Sequence, residues 1–368
     1  MAVGTIGTVM VHSAGRGPTN DPSFGLRQTL FLGIGSTLML ASAGVDHRRV
    51  RRHVVPIVGL AVAGLLLVLT PLGTEVRGTQ GWFRFGSLAL QPSEFAKLGL
   101  ILGLAALLDG AWGPDGRPAR AGLPLGPIRR GFGRPGPERF AAGVAMLGVS
   151  SLLVLAQGET GTVLVYGAIA LGMFATGGVA GRYLVLLVVS GVIVVALAFN
   201  NGVVADYQMA RFEAFLQPDL DPLGVGYNQR QALAAIGSGG LLGAGLFNGP
   251  QTQLGFVPDQ HTDFIFAAIA EELGLLGATV VLGLLTAVLG LIWKVGRDCR
   301  DDWGRLLCAG VFTMLAFEII QNLAMNLRLA PIVGIALPFV SYGGSSMLTS
   351  MLAIGLVQAV AIHHGRRR

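Results

Sequence analysis

The stretch VVPIVGLAVAGLLLVLTPL, residues 54–72, is a continuous apolar run without a single charged side chain. It is long enough to cross a hydrocarbon core about 30 Å thick as a helix. A second run, TVVLGLLTAVLGLIW (279–293), has the same character. These runs predict a helical membrane protein.

Composition supports this interpretation over the whole chain. Of the 368 residues, 52% are hydrophobic and 12% are charged, and the mean hydropathy is +0.65. Soluble domains carry about 25% charged residues. We therefore predict an all-α polytopic membrane protein, folded as a single membrane domain over 1–368. About ten spans are expected, at 1–13 (a short first piece), 26–44, 54–72, 93–108, 140–156, 161–178, 183–199, 274–295, 305–325 and 344–362.

The basic residues indicate how the spans are oriented. If both termini are cytoplasmic, 18 of the 26 Lys and Arg residues lie in cytoplasmic loops, as positive charges do in membrane proteins. The Pro/Gly/Arg-rich segment 109–139 is then a flexible cytoplasmic loop, and 200–262 is a large extracytoplasmic loop between spans 7 and 8. The net charge of +6 thus reflects topology and predicts no nucleic-acid partner. Cys299 and Cys308 are expected to be free thiols.

Polar residues collect in GYNQRQALAAIGSGGLLGAGLFNGPQTQLGFVPDQHTDFIFAAIAEE, residues 226–272. Within it, Asp263 of the HTD triplet precedes an apolar helix, where the helix dipole favours an ionised carboxylate. An ionised carboxylate can act as a general base, although an N-cap aspartate explains the position equally well. HTD has too few ligands for zinc. Mg²⁺ or Mn²⁺ does not need a full set of protein ligands, so Asp263 and substrate phosphates would be enough to hold it.

The segment QPSEFAKL (91–98) is a second candidate site. Glu94 and Lys97 are three residues apart and share a helix face, with Ser93 as the expected N-cap. Lys97 and Arg84 of GWFRFG would together bind a phosphate. A Glu94–Lys97 ion pair that only orients the helix is an equal alternative.

Two further acidic residues and a glycine run complete the sequence features. Glu159 in QGETGT begins a span, where the helix dipole alone favours an acid. Glu318 lies inside a span, where an inter-helix hydrogen bond is expected. The run GSGGLLGAG (237–245) lacks the Lys-Ser/Thr pair of a P-loop and is expected to let backbone approach backbone or substrate closely.

Five stretches together resemble the SEDS family, the group that contains RodA and FtsW. They occur in the family's order and cover the chain nearly end to end: GWFRFGSLALQPSEFAKL (81–98), QGETGT (157–162), GYNQRQALAAIGSGGLLGAGL (226–246), PDQHTDFIFAAIAEELG (258–274) and PIVGIALPFVSYGGSS (331–346). The amino-acid sequence of residues 248–264 is more similar to the RodA members than to the FtsW members.

The resemblance implies a peptidoglycan glycosyltransferase of the inner membrane that polymerises lipid II at the outer face, with a class B penicillin-binding protein as partner. The essential aspartate of the family's H-T-D-F motif corresponds to Asp263. The acid of its Q-P-D-L-G-T motif corresponds to Glu159, with Gly158 in place of proline. We expect substrate contacts from Lys97, Glu94, Arg84, Gln91, Ser93, Glu159, His261, Thr262, Gln260 and Ser341. RodA-like elongation of the cell wall is the expected role.

Three alternatives stay open at this point. An FtsW-like division polymerase would use the same residues. A flippase for lipid-linked sugars would have a polar cavity near the membrane midplane and interrupted helices. A scaffold that only positions a penicillin-binding protein would tolerate replacement of Asp263.

Overall fold

The structure is a computed structural model that describes residues 1–16, 23–76, 78–86, 88–109, 136–200, 206–216 and 225–363. Apart from its two ends, the predicted flexible loop 109–139 lies outside the described residues. Each of the ten predicted spans coincides with a helix. The helices are α1 (Ala2–Ala14), α2 (Phe24–Gly44), α3 (His47–Arg52), α4 (Val54–Val68), α5 (Pro92–Leu108), α6 (Pro137–Ala156), α7 (Thr160–Thr176), α8 (Gly181–Asn200), α9 (Asp206–Leu216), α10 (Val225–Ser238), α11 (Pro250–Gln253), α12 (Ile265–Asp298), α13 (Asp302–Asn326) and α14 (Gly344–His363).

Several of the helices have the apolar composition of membrane spans. Within the described ranges, α6, α12, α13 and α14 are long and apolar enough to cross a bilayer, and α1, α4, α7 and most of α8 are shorter apolar helices. The predicted all-α polytopic architecture is thereby confirmed. Cys299 and Cys308 are buried free thiols, as expected.

The connection 73–92 is not only a loop, because it contains three short antiparallel strands in the order β1-β2-β3. Gly78 and Gly86 lie at the two turns with φ of +79° and +63°, which glycine reaches without steric cost. The strands are β1 (Thr74–Val76), β2 (Thr79–Phe85) and β3 (Leu88–Leu90).

The described part of the predicted loop 200–262 is largely helical, with α9, α10 and α11. Ala232, Ala235 and Ile236 of α10 follow the i, i+3, i+4 spacing of a helix face. They pack into an apolar cluster with Phe264 and other residues. The small alanine side chains gave a weak sequence signal, so this helix was missed.

Helix α12 starts nine residues earlier than the predicted span and is interrupted at Gly274, where φ is +68° and ψ is −170°. The glycine run pairs with the backbone at this interruption. Added Cβ atoms at Gly239 and Gly243 would collide with backbone of 270–274, which confirms the expected close backbone approach. Four hydrogen bonds join the two segments: Ala244 N to Glu271 O (2.9 Å), Gly245 N to Glu272 O (3.0 Å), Leu275 N to Gly240 O (2.9 Å) and Leu276 N to Leu241 O (3.2 Å).

The chain forms two compact units, each assembled from three separate segments. The first comprises Met1–Leu38, Val192–Gly290 and Leu315–Met351, and the second Met39–Gly191, Leu291–Met314 and Leu352–Arg368. In the first unit an apolar cluster lies directly beside the 258–264 turn, formed by Ala232, Ala235, Val257, Phe264, Ala267, Met325 and Ile332. In the second unit α5 is buried on almost every side and packs against α4, α6 and α7.

Candidate active site

Asp263 lies in the first unit, in a turn two residues before α12 begins. The residue is half-buried. Its backbone carbonyl accepts hydrogen bonds from Nδ2 of Asn322 (3.0 Å) and Nδ2 of Asn326 (3.0 Å). Both asparagines are completely buried and lie one turn apart on α13. The position of Asp263 is therefore set by side chains that bind its backbone.

The same asparagines connect the turn to its other neighbours. Asn326 Oδ1 accepts from the backbone N–H of Ala267 in the first turn of α12 (3.2 Å), which also donates to Phe264 O (3.0 Å). Asn322 Nδ2 also donates to Ile335 O (2.8 Å). Sequence reasoning missed both residues. Two amide side chains four residues apart within an apolar span were the available signal.

The carboxylate of Asp263 faces the segment 331–341. Gly334 has φ of +71°, and a Cβ placed on it would lie 3.8 Å from Asp263 Oδ2. This conformation favours glycine, so the chain brings bare backbone close to the carboxylate at this point. The structure thus joins two of the matched motifs, HTDF and PIVGIALP, at one place.

Ser341, Thr262 and His261 lie close to Asp263. Ser341 Oγ donates to Thr262 O (2.6 Å) and accepts from Leu337 N (2.8 Å). His261 O accepts from Tyr342 N (2.8 Å). The Ser341 hydroxyl therefore holds backbone on both sides, while substrate contact by these three residues stays a prediction.

Gln260 and His261 also make contacts within the protein. Gln260 is buried, and its Nε2 donates to Ala14 O and Thr252 O, both at 2.9 Å. The His261 ring is stacked on Phe24 with a centroid distance of 4.4 Å. These contacts give both residues a role in fixing the turn, and the substrate contact predicted for them is not tested.

Glu159, in the second unit, is the N-cap residue of α7 but makes no side-chain capping bond. Its carboxylate instead accepts from Gln91 Nε2 (2.8 Å), Ser93 Oγ (2.6 Å) and Thr162 Oγ1 (3.1 Å). Burial raises the pKa of this carboxyl above its usual range, and the three hydrogen bonds act in the opposite direction. Glu159 therefore joins the start of α5 to the start of α7.

Gly158 explains one departure from the family motif. Its φ is +85°, which proline cannot adopt because its ring fixes φ near −65°. Its N–H also donates to Leu155 O (2.9 Å), and proline has no N–H to donate. Glu159 therefore follows a backbone turn that a Pro-Asp pair could not form.

Glu94 and Lys97 form the predicted ion pair on one face of α5. Lys97 Nζ lies 2.8 Å from each carboxylate oxygen of Glu94, and the Lys97 side chain is 4% exposed. Arg84 is exposed on β2. The expected N-cap at Ser93 was wrong: Gln91 is the N-cap and Pro92 occupies the first turn, a position where proline loses no hydrogen bond.

No group of three or more His, Cys, Asp or Glu side chains lies close enough to hold a metal ion within the part of the chain that the structure describes. Asp263 offers one half-buried carboxylate. This donor set fits a hard cation whose other ligands are substrate phosphates and water, and it does not fit a preformed zinc site.

Comparison with known proteins agrees with this arrangement of motifs. The family described as Cell cycle protein, which covers FtsW, RodA and SpoVE, matches residues 1–366. The chain belongs to this family. It is 32% identical to a probable peptidoglycan glycosyltransferase FtsW of Trichlorobacter lovleyi, over 97% of this chain and 90% of that protein. It is 31% identical to peptidoglycan glycosyltransferase MrdB of Escherichia coli K12, over 90% and 84% of the two chains.

A solved structure supports the fold and comes from an assembly. A chain from a study of the structural coordination of polymerization and crosslinking by a peptidoglycan synthase complex matches with a TM-score of 0.80. It is 29% identical, and the match covers 100% of this chain and 96% of that one. The FtsW and MrdB relatives are similar to nearly the same degree, so a RodA-specific role stays a prediction.

Proposed function

We propose that this chain, a peptidoglycan glycosyltransferase of the FtsW/RodA/SpoVE family, polymerises lipid II at the outer face of the inner membrane. The supporting observation is the Asp263 turn, in which Asn322 and Asn326 hold the backbone carbonyl of a half-buried aspartate. A general base acts efficiently only when its carboxylate is held in a fixed place relative to the substrate. The turn fixes the backbone from which this carboxylate extends, which supports the proposed role.

In the proposed step, the Asp263 carboxylate takes a proton from a sugar hydroxyl. The hydroxyl oxygen attacks the anomeric carbon of a second lipid-linked sugar, and the bond to the diphosphate breaks. The diphosphate leaves with the bonding electrons. Glycosidases need a second carboxylic acid to protonate their leaving group, and this reaction does not.

The leaving diphosphate needs positive charge beside it. The charge of Lys97 is already matched by Glu94, which leaves a bound cation as the stronger candidate. Mg²⁺ or Mn²⁺ held by Asp263 and the substrate phosphates would supply that charge.

We also propose a class B penicillin-binding protein as the partner and cytoplasmic positions for both termini. The partner proposal is supported by the similarity to a chain of a complex that couples polymerization and crosslinking. The orientation is supported by the distribution of basic residues.

Elongation and division remain two candidate cellular roles. The amino-acid sequence of residues 248–264 favours a RodA-like role in elongation. The similarity to a relative named FtsW favours a role in division. Depletion strains distinguish them: rescue of rod shape in cells lacking their elongation polymerase supports the first, and rescue of septation in cells lacking the division polymerase supports the second.

Transport of lipid II across the membrane by a flippase is the main alternative to polymerisation. The interruption of α12 is a feature that transporters share, but here the glycine run pairs with the exposed backbone groups. Purified protein in vesicles, with and without its partner, would be given lipid II and tested for both products. Glycan strands that lysozyme digests would support the proposal, whereas lipid II translocation without glycan would overturn it.

A further inference from the structure

Two adjacent glutamates in α12 are not used by the proposed mechanism. Glu271 and Glu272 are both completely buried, immediately before the interruption at Gly274. Buried carboxylates are costly unless hydrogen-bond donors surround them. What binds them therefore indicates what they do.

Glu271 binds the short helix α11. Its Oε1 accepts from Gln251 N (2.6 Å), and its Oε2 accepts from Thr252 N (2.9 Å) and Thr252 Oγ1 (2.6 Å). The carbonyl of Thr252 in turn accepts from Gln260 Nε2 (2.9 Å). This first path leads from Glu271 to a residue three positions before Asp263.

Glu272 binds the end of α1 and the end of α11. Ser13 Oγ donates to both of its carboxylate oxygens (2.6 and 2.8 Å), and Gln253 Nε2 donates to Oε1 (3.1 Å). The residue after Ser13, Ala14, accepts from the same Gln260 amide through its carbonyl (2.9 Å). A second path therefore reaches Gln260 from the opposite side.

Backbone conformation shows that these segments are held against local preference. Phe247 has φ of +67° and Asp259 has φ of +51°, values that side chains other than glycine seldom adopt. The N–H of Phe247 donates to Glu272 Oε2 (3.1 Å). Strained backbone persists where surrounding contacts determine it.

We propose that Glu271 and Glu272 are positioning residues that fix the Asp263 turn through two hydrogen-bond paths meeting at Gln260. Thr252 carries the first path and Ser13 carries the second. The inference rests on the proposed polymerase function, because the turn that they position is the one that carries the proposed base.

The test uses the full-length protein in detergent or vesicles with its partner. Thr252→Val removes the hydroxyl at nearly constant volume, and Thr252→Ser keeps it. We expect Thr252→Val to lower kcat for glycan formation on the order of tenfold with KM unchanged, because the base is misplaced while substrate binding is not altered. Thr252→Ser restores kcat.

A second path and a matched control sharpen the test. Ser13→Ala lowers kcat by itself, and the Thr252→Val/Ser13→Ala double variant loses more than the product of the single losses, because either path partly supports Gln260 alone. Thr279→Val removes an exposed hydroxyl that donates only to Leu275 O within α12. Its kcat is expected to equal that of the unmodified protein.

Amide hydrogen exchange separates positioning from general stability. Thr252→Val is expected to speed exchange in peptides covering 258–264 while leaving α14 unchanged. Unaltered kcat and exchange, or faster exchange spread evenly over the protein, would overturn the inference. If the unmodified protein makes no glycan, the proposed function fails, and exchange at 258–264 alone still decides whether the two paths hold the turn.

Discussion

The Asp263 turn and the Glu159 cluster each hold an acidic residue at the start of a helix, but they hold it differently. At Asp263, Asn322 and Asn326 bind the backbone carbonyl, and the residue is half-buried. At Glu159, three side chains bind the carboxylate itself, and the residue is 8% exposed. Asp263 is thus the more accessible of the two acids to a substrate, whereas the burial of Glu159 and the three donors on its carboxylate suit a structural role.

The largest expected effect on stability concerns the backbone before Glu159. Gly158→Pro should lower the free energy of unfolding by about 3 kcal/mol or more, because proline cannot adopt positive φ and loses the bond to Leu155 O. Thermal unfolding in detergent measures this. Gly158→Ala, which keeps the N–H, should lose only about 1–2 kcal/mol. A Gly158→Pro protein as stable as the unmodified chain would show that residue 158 does not need a positive φ.

Removing one of the two asparagines tests how the Asp263 turn is held. Asn326→Ala removes a donor to Asp263 O and an acceptor for Ala267 N, so we expect a loss of about 2 kcal/mol in unfolding free energy. We also expect kcat for glycan formation to fall about tenfold at temperatures where the protein stays folded. Ile320→Ala, at an exposed position of the same helix, serves as the control with little change. Unchanged kcat in folded Asn326→Ala would separate the asparagine from the chemistry.

The smallest effect is expected at Glu159 itself. Glu159→Gln keeps the size of the side chain, and the Ser93 and Thr162 hydroxyls can rotate to suit an amide. Unfolding free energy should fall by about 1 kcal/mol, and the rate of glycan formation should stay within about threefold of the unmodified rate. If folded Glu159→Gln makes no glycan, Glu159 takes part in the chemistry and the comparison fails.

The sequence predicted the helical spans well because their signal is local. An apolar run long enough to span a bilayer specifies a helix almost regardless of its neighbours. The predicted start of the span in α12 was nine residues late, because the hydropathy argument gave little weight to the segment DFIFAAIAEELG with its two glutamates. The strands of 74–90 were missed because two of them contain only three residues, which is too short to show an alternating pattern.

The candidate site could be predicted only where its residues are neighbours in sequence. Asp263 and the Glu94–Lys97 pair were recognised from single motifs. The partners of Asp263 lie about 60 residues away on α13, and Ser13 lies 259 residues from Glu272. Contacts of this separation leave no periodicity in the chain, so Asn322, Asn326 and the two paths to Gln260 became visible only in the folded protein.

The most direct test of this account compares Asp263→Asn with the unmodified protein in lipid II polymerisation, with the partner present. Asparagine keeps the shape of the side chain and its backbone contacts but cannot take a proton at neutral pH. We predict a loss of at least roughly 10²- to 10⁴-fold in the rate of glycan formation, with thermal unfolding unchanged to within a few degrees. Glycan formation by folded Asp263→Asn at the unmodified rate would contradict the assignment of Asp263 as the general base.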